Sequence, residues 1–157
     1  MKENLPTLTI DSREPSPLRF TNLSTESGTL EAGTHTARHM NRSFAILCVT
    51  AGDVAFHLGG GRGAFMARVG KLCGIGFTRL LIVGTRREIE RGDYRGKAEP
   101  RAVLASLAVI EARFHAPVVF EADAGKAALM VERWAFWHWR EIAKPFVGNV
   151  KTPPWAV

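Results

Sequence analysis

The sequence predicts one α/β domain, a mostly parallel or mixed sheet covered by helices on both faces. Two continuous apolar, β-rich runs carry that expectation, FAILCVT at 44–50 and RLLIVG at 79–84. Strands without polar alternation are buried on both faces, as they are in α/β sheets. Helical spacing recurs between and after these runs, and strands alternating with helices make layered folds of this kind. A chain of 157 residues suits a single domain with a core of its own.

In chain order, TLTI at 7–10 reads as a short strand, ended by the charged, turn-prone DSREPSP, whose Pro15 and Pro17 keep it extended. The strand at 44–50 comes next. Gly59-Gly60-Gly61-Arg62-Gly63 reads as a flexible break, followed by helical apolar spacing at Phe65, Val69 and Leu72. After the strand at 79–84, Pro100 opens a helix whose apolar period runs to Phe114. Pro117 closes it, and 118–120 forms another short strand. Asp123 is a good N-cap for a long helix to about Ala143, stopped by Pro145. Ligands in such folds gather at the carboxyl ends of strands, so attention falls on the loops after Ile10, around Gly33, after Thr50 and after Gly84.

The formal charge of +6 favours polyanionic partners. It is concentrated: residues 62–101 hold ten basic side chains against four acidic ones, leaving eleven of each elsewhere. A phosphate-binding face leaves such an excess, and so does a plain solvated surface. Cys48 and Cys73 stand alone without a CxxC pattern, which excludes a disulfide framework or a zinc ribbon. The N-terminus is polar, with no signal-peptide core, and no apolar run is long enough to span a membrane. The expectation is a cytoplasmic protein.

Thr9-Ile10-Asp11-Ser12-Arg13-Glu14 runs a strand into D-x-R-E. Together with RLLIVG, EIERGDYRG, PRAVLASLAVIEARF, PVVF and VERWAFW in that order, it resembles the nuclease domain of XPF-type structure-selective endonucleases, in their bacterial and phage single-domain form. The resemblance implies a restriction-endonuclease-like mixed sheet flanked by helices, with 1–143 as the nuclease-like domain and 144–157 as a tail. That family uses G-D-Y, a strand ending in E-R-K, and an aspartate four residues beyond the lysine. Its aspartate and glutamate hold a divalent metal, and the lysine steadies the attacking water and the phosphate.

Laid on that pattern without a gap, this chain has Gly33 at the glycine but Thr34 at the aspartate and His35 at the aromatic residue. Leu47, Cys48 and Val49 replace E-R-K, and Asp53 meets the trailing aspartate. Leu47 offers a metal no lone pair, Val49 offers a phosphate no charge, and Thr34 keeps only a neutral oxygen. Leu72, Gly74, Phe77 and Arg79 stay in register, so the departure is not a frame slip. The resemblance thus implies a pseudonuclease with a remnant site of Asp11, Arg13, Glu14 and Asp53, and a DNA grip on Arg62, Arg68, Lys71 and Arg79. No cofactor is expected. The alternative is an active endonuclease with a rearranged site, where Asp11 and Asp53 would hold Mg2+ or Mn2+. A third reading is a protein-interaction module that never touches DNA. The implied partners are branched or junction DNA and a second subunit, in a homodimer or beside an active relative.

Several other groupings attract weaker readings. Gly92-Asp93-Tyr94 and Val131-Glu132-Arg133 imitate the family's motifs but fall in a connecting loop and inside the long helix. His35, His39, Cys48 and His57 could in principle hold zinc, yet scattered histidines are the better reading. The glycine run at 59–63 could cradle a phosphate but lacks a nucleotide loop's G-K-[ST] ending. Trp134, Phe136, Trp137 and Trp139 cover more than one helix face; core packing explains most of them, and at least one is expected to meet a partner or another helix.

Overall fold

In a computed structural model, residues 5–14, 16–40, 42–147 and 150–157 are described; Pro15, one of the two prolines expected to extend its loop, lies outside them. The elements are β1 (Leu8–Asp11), β2 (Thr25–Gly28), β3 (His35–Ala37), β4 (Phe44–Thr50), α1 (Ala51–Gly60), α2 (Arg62–Gly70), β5 (Phe77–Val83), α3 (Arg86–Arg91), α4 (Pro100–Phe114), β6 (Val118–Glu121), α5 (Ala124–Val147) and a 3-10 turn, Pro154–Ala156. Among these residues no helix is long and apolar enough to cross a membrane.

The strands form one six-stranded mixed sheet in the order β2-β1-β3-β4-β5-β6. β4, β5 and β6 are parallel, β3 runs antiparallel to both β1 and β4, and β2 adds a parallel edge to β1. Side chains alternate across the pleat. Ala45, Leu47, Val49, Leu80 and Ile82 face a core shared with α1–α4, while Phe44, Ile46, Cys48 and Leu81 face Ala127, Ala128, Val131 and Ala135 of α5. The strands at 44–50 and 79–84, the helix from Pro100 to Phe114 and the final strand stand where the sequence puts them.

Four local expectations need correction. No loop follows Thr50 or Gly84 beyond a cap. The Thr50 hydroxyl accepts the Asp53 N–H at 3.1 Å and opens α1, and Thr85 with Glu88 forms a capping box that opens α3. The glycine run is not a flexible break: α1 continues through Gly60, and only Gly61 separates it from α2, with its N–H spent on the His57 carbonyl at 2.8 Å. α5 starts as expected, with Asp123 Oδ1 accepting the Lys126 N–H at 2.9 Å, but runs past Pro145 to Val147. A proline two residues from a helix end removes only one ladder bond.

The last correction concerns cover for α5. Residues 150–157 fold back along the helix: the Trp155 ring lies 5.6 Å from that of Phe136, and the carbonyls of Trp155 and Ala156 accept from Arg133 Nε at 2.9 Å and Trp137 Nε1 at 2.8 Å. The aromatic surplus of α5 is thus met largely within the chain, with Trp139 half-buried against Phe136.

Candidate functional site

The first remnant acid, Asp11, ends β1 and is 6% exposed. Its Oδ1 accepts the Arg13 backbone N–H at 2.9 Å, an Asx-type turn that reverses the chain. Arg13 then folds back, with Nε donating to Oδ1 at 3.0 Å and Nη2 to Oδ2 at 2.7 Å and to the Leu30 carbonyl at 2.7 Å. The guanidinium holds the Asp11 carboxyl below the ordinary carboxylate range, against the opposing effect of burial. Both oxygens of the expected metal ligand therefore accept hydrogen bonds from an arginine.

Glu14 leaves the turn and grips α2, its carboxylate 2.9 Å from Arg68 Nη2. Asp11, Arg13, Glu14, Glu31, Arg68 and Lys71 line a cleft of about 250 Å3, three acids against three bases. Glu31 has no motif to reveal it; it arrives only because the segment before β3 passes Asp11. Asp53 is exposed in the first turn of α1 and faces a different cleft of about 490 Å3, bordered by Glu14, Ser16, Val49 and His57. The structure therefore joins Asp11, Arg13 and Glu14 but leaves Asp53 apart, with Glu14 at the edge of both clefts.

Thr34 stands where the resembled family has its aspartate, preceded by Gly33 at φ 73, a position where a Cβ would meet the Ile46 carbonyl oxygen at 2.8 Å. The Thr34 hydroxyl donates to the Ile46 carbonyl at 3.2 Å and accepts the Cys48 N–H at 2.9 Å. His35 Nδ1 lies 2.7 Å from the same oxygen, and its Nε2 lies 3.0 Å from the Ser16 hydroxyl. Two tautomers of neutral His35 satisfy these atoms: Nδ1 donating to Thr34 with Nε2 accepting from Ser16, or Thr34 donating to Nδ1 with Nε2 donating to Ser16. In either, the Thr34 oxygen is a neutral, hydrogen-bonded atom and a poor ligand for a hard cation. Leu47, at the glutamate position, is 1% exposed in the core under the helices. These residues do not fit the metal site that the resemblance carries, and among the described residues no three His, Cys, Asp or Glu side chains gather to hold an ion. The expected scatter of His35, His39, Cys48 and His57 agrees with this. Burial pushes the Cys48 thiol up to about 12, far from a reactive thiolate.

The buried ring has a pH consequence. Burial lowers His35 from 6.5 to about 4, so between those values the unfolded chain takes up a proton that the folded one refuses. Stability therefore falls as pH drops from 6.5 towards 4, and Asp11, also lowered, adds loss in the same direction in stronger acid. Urea titrations at pH 7 and 4.5 are expected to differ by roughly 2–3 kcal/mol from His35 alone. His35→Gln should flatten that difference; an unchanged difference would refute the assignment.

The four expected DNA contacts separate. Arg68 and Lys71 reach the cleft. Arg62 is exposed at the start of α2, with its guanidinium on the Ser106 hydroxyl of α4. Arg79 shares its β5 face with Phe77 and Leu81, so it lies on the α5 side of the sheet, 4.1 Å from the Phe77 ring centroid. The motif look-alikes are structural. Gly92 is the left-handed cap of α3, and the buried Glu132 accepts from Asn22 N at 2.8 Å, Asn22 Nδ2 at 3.0 Å and Leu23 N at 2.7 Å.

Against solved structures, XPF from Aeropyrum pernix superposes at a TM-score of 0.70, with 20% identity over 95% of this chain and 68% of that one. The fold is the XPF nuclease fold. XPF from the same organism in complex with DNA matches at a TM-score of 0.62, again with 20% identity, over 92% of this chain and 68% of that one. No protein-family model matches the chain, and no curated protein matches it. The likeness is thus one of fold, and it agrees with the ordered series of segments that suggested it.

Proposed function

We propose that this domain binds DNA through the phosphates and does not cut it. The observation that carries this reading is a neutral, hydrogen-bonded Thr34 hydroxyl where the resembled family has its aspartate, beside an Asp11 paired with Arg13, in a site whose other flank is Leu47 and Val49. Asp11 and Glu14 are each paired with an arginine there, whereas the cations Arg68 and Lys71 line the cleft. Nine of the ten cations in 62–101, all but Arg79, belong to the α1–α4 layer and its loops. A structure of the same fold was solved with DNA, which supports binding as the surviving activity. An active site rebuilt on Asp11, Glu14 and Asp53 is opposed by the separation of Asp53 and by the pairing of the other two with arginines.

Both ion pairs of the cleft are exposed on at least one side, and such pairs are worth about 1 kcal/mol or less. A phosphate can therefore displace Glu14 from Arg68. Glu14→Gln is expected to tighten binding to a labelled duplex a fewfold, and Arg68→Glu to weaken it roughly tenfold with a shallower salt slope. Arg38→Glu is the control, because Arg38 pairs with Glu26 at the β2 edge; Arg42 is unsuitable, since it borders a cleft together with Lys71. Equal losses at Arg68 and Arg38 would refute a DNA face at the cleft. Pairing of subunits, which the resemblance implies, would draw on Trp137 and Ile142, both exposed on α5, rather than on the rings its own C-terminal segment covers.

A further inference from the structure

The Gly92-Asp93-Tyr94 segment takes no part in the cleft, yet it shapes a loop on the outer side of α1. The Asp93 N–H bonds the Glu88 carbonyl at 2.9 Å, and the Tyr94 hydroxyl closes the loop on the Ala98 carbonyl at 2.6 Å. Between them Gly96 has φ +100, and a Cβ there would stand 3.4 Å from Phe56 Cδ2, so bare backbone lies along the ring. Phe56 is nevertheless 49% exposed. Among the described residues Trp137 is also exposed, but its N–H is tied to Ala156; Phe56 has the Arg95 guanidinium 5.7 Å from its ring centroid and the His57 ring at its edge, 6.1 Å between centroids. Arg95 and Lys97, both exposed, flank Gly96 in sequence, the residue whose backbone lies along the ring.

We propose that Phe56, Arg95 and Lys97 form a stacking platform for an unpaired base of single-stranded nucleic acid. The ring takes the base face, and the two cations take the phosphates beside it. An aromatic face edged by cations on a rigid loop is what sequence-tolerant single-strand binding uses, and in a duplex the base faces are already stacked on one another. Charge also suits an anionic partner, since Arg91, Arg95 and Lys97 outnumber Asp93 and Glu99 in and beside the loop. This inference rests on the nucleic-acid reading above but uses a different surface, α1 and the 92–98 loop instead of the Arg68 cleft.

Fluorescence anisotropy with a labelled oligo-dT and with a duplex of equal length, at low salt, tests it on the full chain. Phe56→Ala is expected to weaken oligo-dT binding about tenfold and duplex binding less than twofold. Phe56→Trp should retain binding and show indole quenching on adding oligo-dT that the unsubstituted protein lacks. Phe56→Ala with unchanged oligo-dT affinity, or with equal losses on both ligands, would overturn the platform while leaving the cleft reading intact. Failure of both ligands to bind would overturn both readings.

Discussion

Incubated with branched or linear DNA and Mg2+ or Mn2+, the purified protein is expected to leave every strand intact. The remnant site lacks the charged donors a divalent metal needs. Thr34 offers only a neutral, hydrogen-bonded oxygen, Asp11 is paired with Arg13, and Leu47 and Val49 have no donor atom to offer. A metal contributes several kcal/mol of transition-state stabilisation, and each 1.4 kcal/mol or so is tenfold in rate. Loss of the metal alone thus removes roughly a thousandfold or more, before the missing lysine is considered. Recovering a metal site would need more than one exchange. Leu47→Glu places a carboxylate in a core position that is 1% exposed, with no cation beside it, and should destabilise the fold rather than restore the chemistry. Metal-dependent nicking that disappears in Asp11→Ala would contradict this account.

The second large effect is expected at Glu132, far from the cleft. Only 1% exposed on α5, it accepts three N–H groups from Asn22 and Leu23 and so ties down the segment that follows β1. Glu132→Ala strands those donors without water to replace the carboxylate, at a cost of about 3 kcal/mol. For a chain of this size that lowers Tm by about 6–12 °C. Arg13, Glu14 and Ser16 belong to the same connection, so DNA affinity should decline as well. Glu132→Gln, which keeps one acceptor, should fall between. A Tm shift under about 2 °C for the alanine variant would show that the segment is held by other contacts.

What the sequence displays and what it conceals follow from physical differences among the elements. β4, β5, α4 and α5 are legible because they carry their own apolar signal. β2 is four polar-edged residues, TESG, and exists because β1 offers it a parallel partner. α1 hides behind its glycines, although Thr50 three residues before Asp53 is a helix-start signal, and Thr85 before Glu88 is another. In the site, Asp11, Arg13, Glu14, Arg68 and Lys71 line one cleft, with Asp53 at another. Arg79 joins neither, because an all-apolar strand gives no cue to which layer its one charged side chain will meet. Glu31 and the Phe56–Arg95 pair depend on contacts between distant segments, which no local spacing announces. The fold over of 150–157 onto α5 was hidden for the same reason, and a surplus of aromatic residues looked like a partner's footprint.

The central claim is that this domain grips phosphates with its own cations and needs no metal to do so. Titrating labelled DNA across a range of salt concentrations, once in EDTA and once in Mg2+ at matched ionic strength, tests it most directly. The account predicts the same affinity in both, falling steeply and linearly in the logarithm of salt concentration. Binding that appears only with the divalent ion, or that ignores salt, would contradict it.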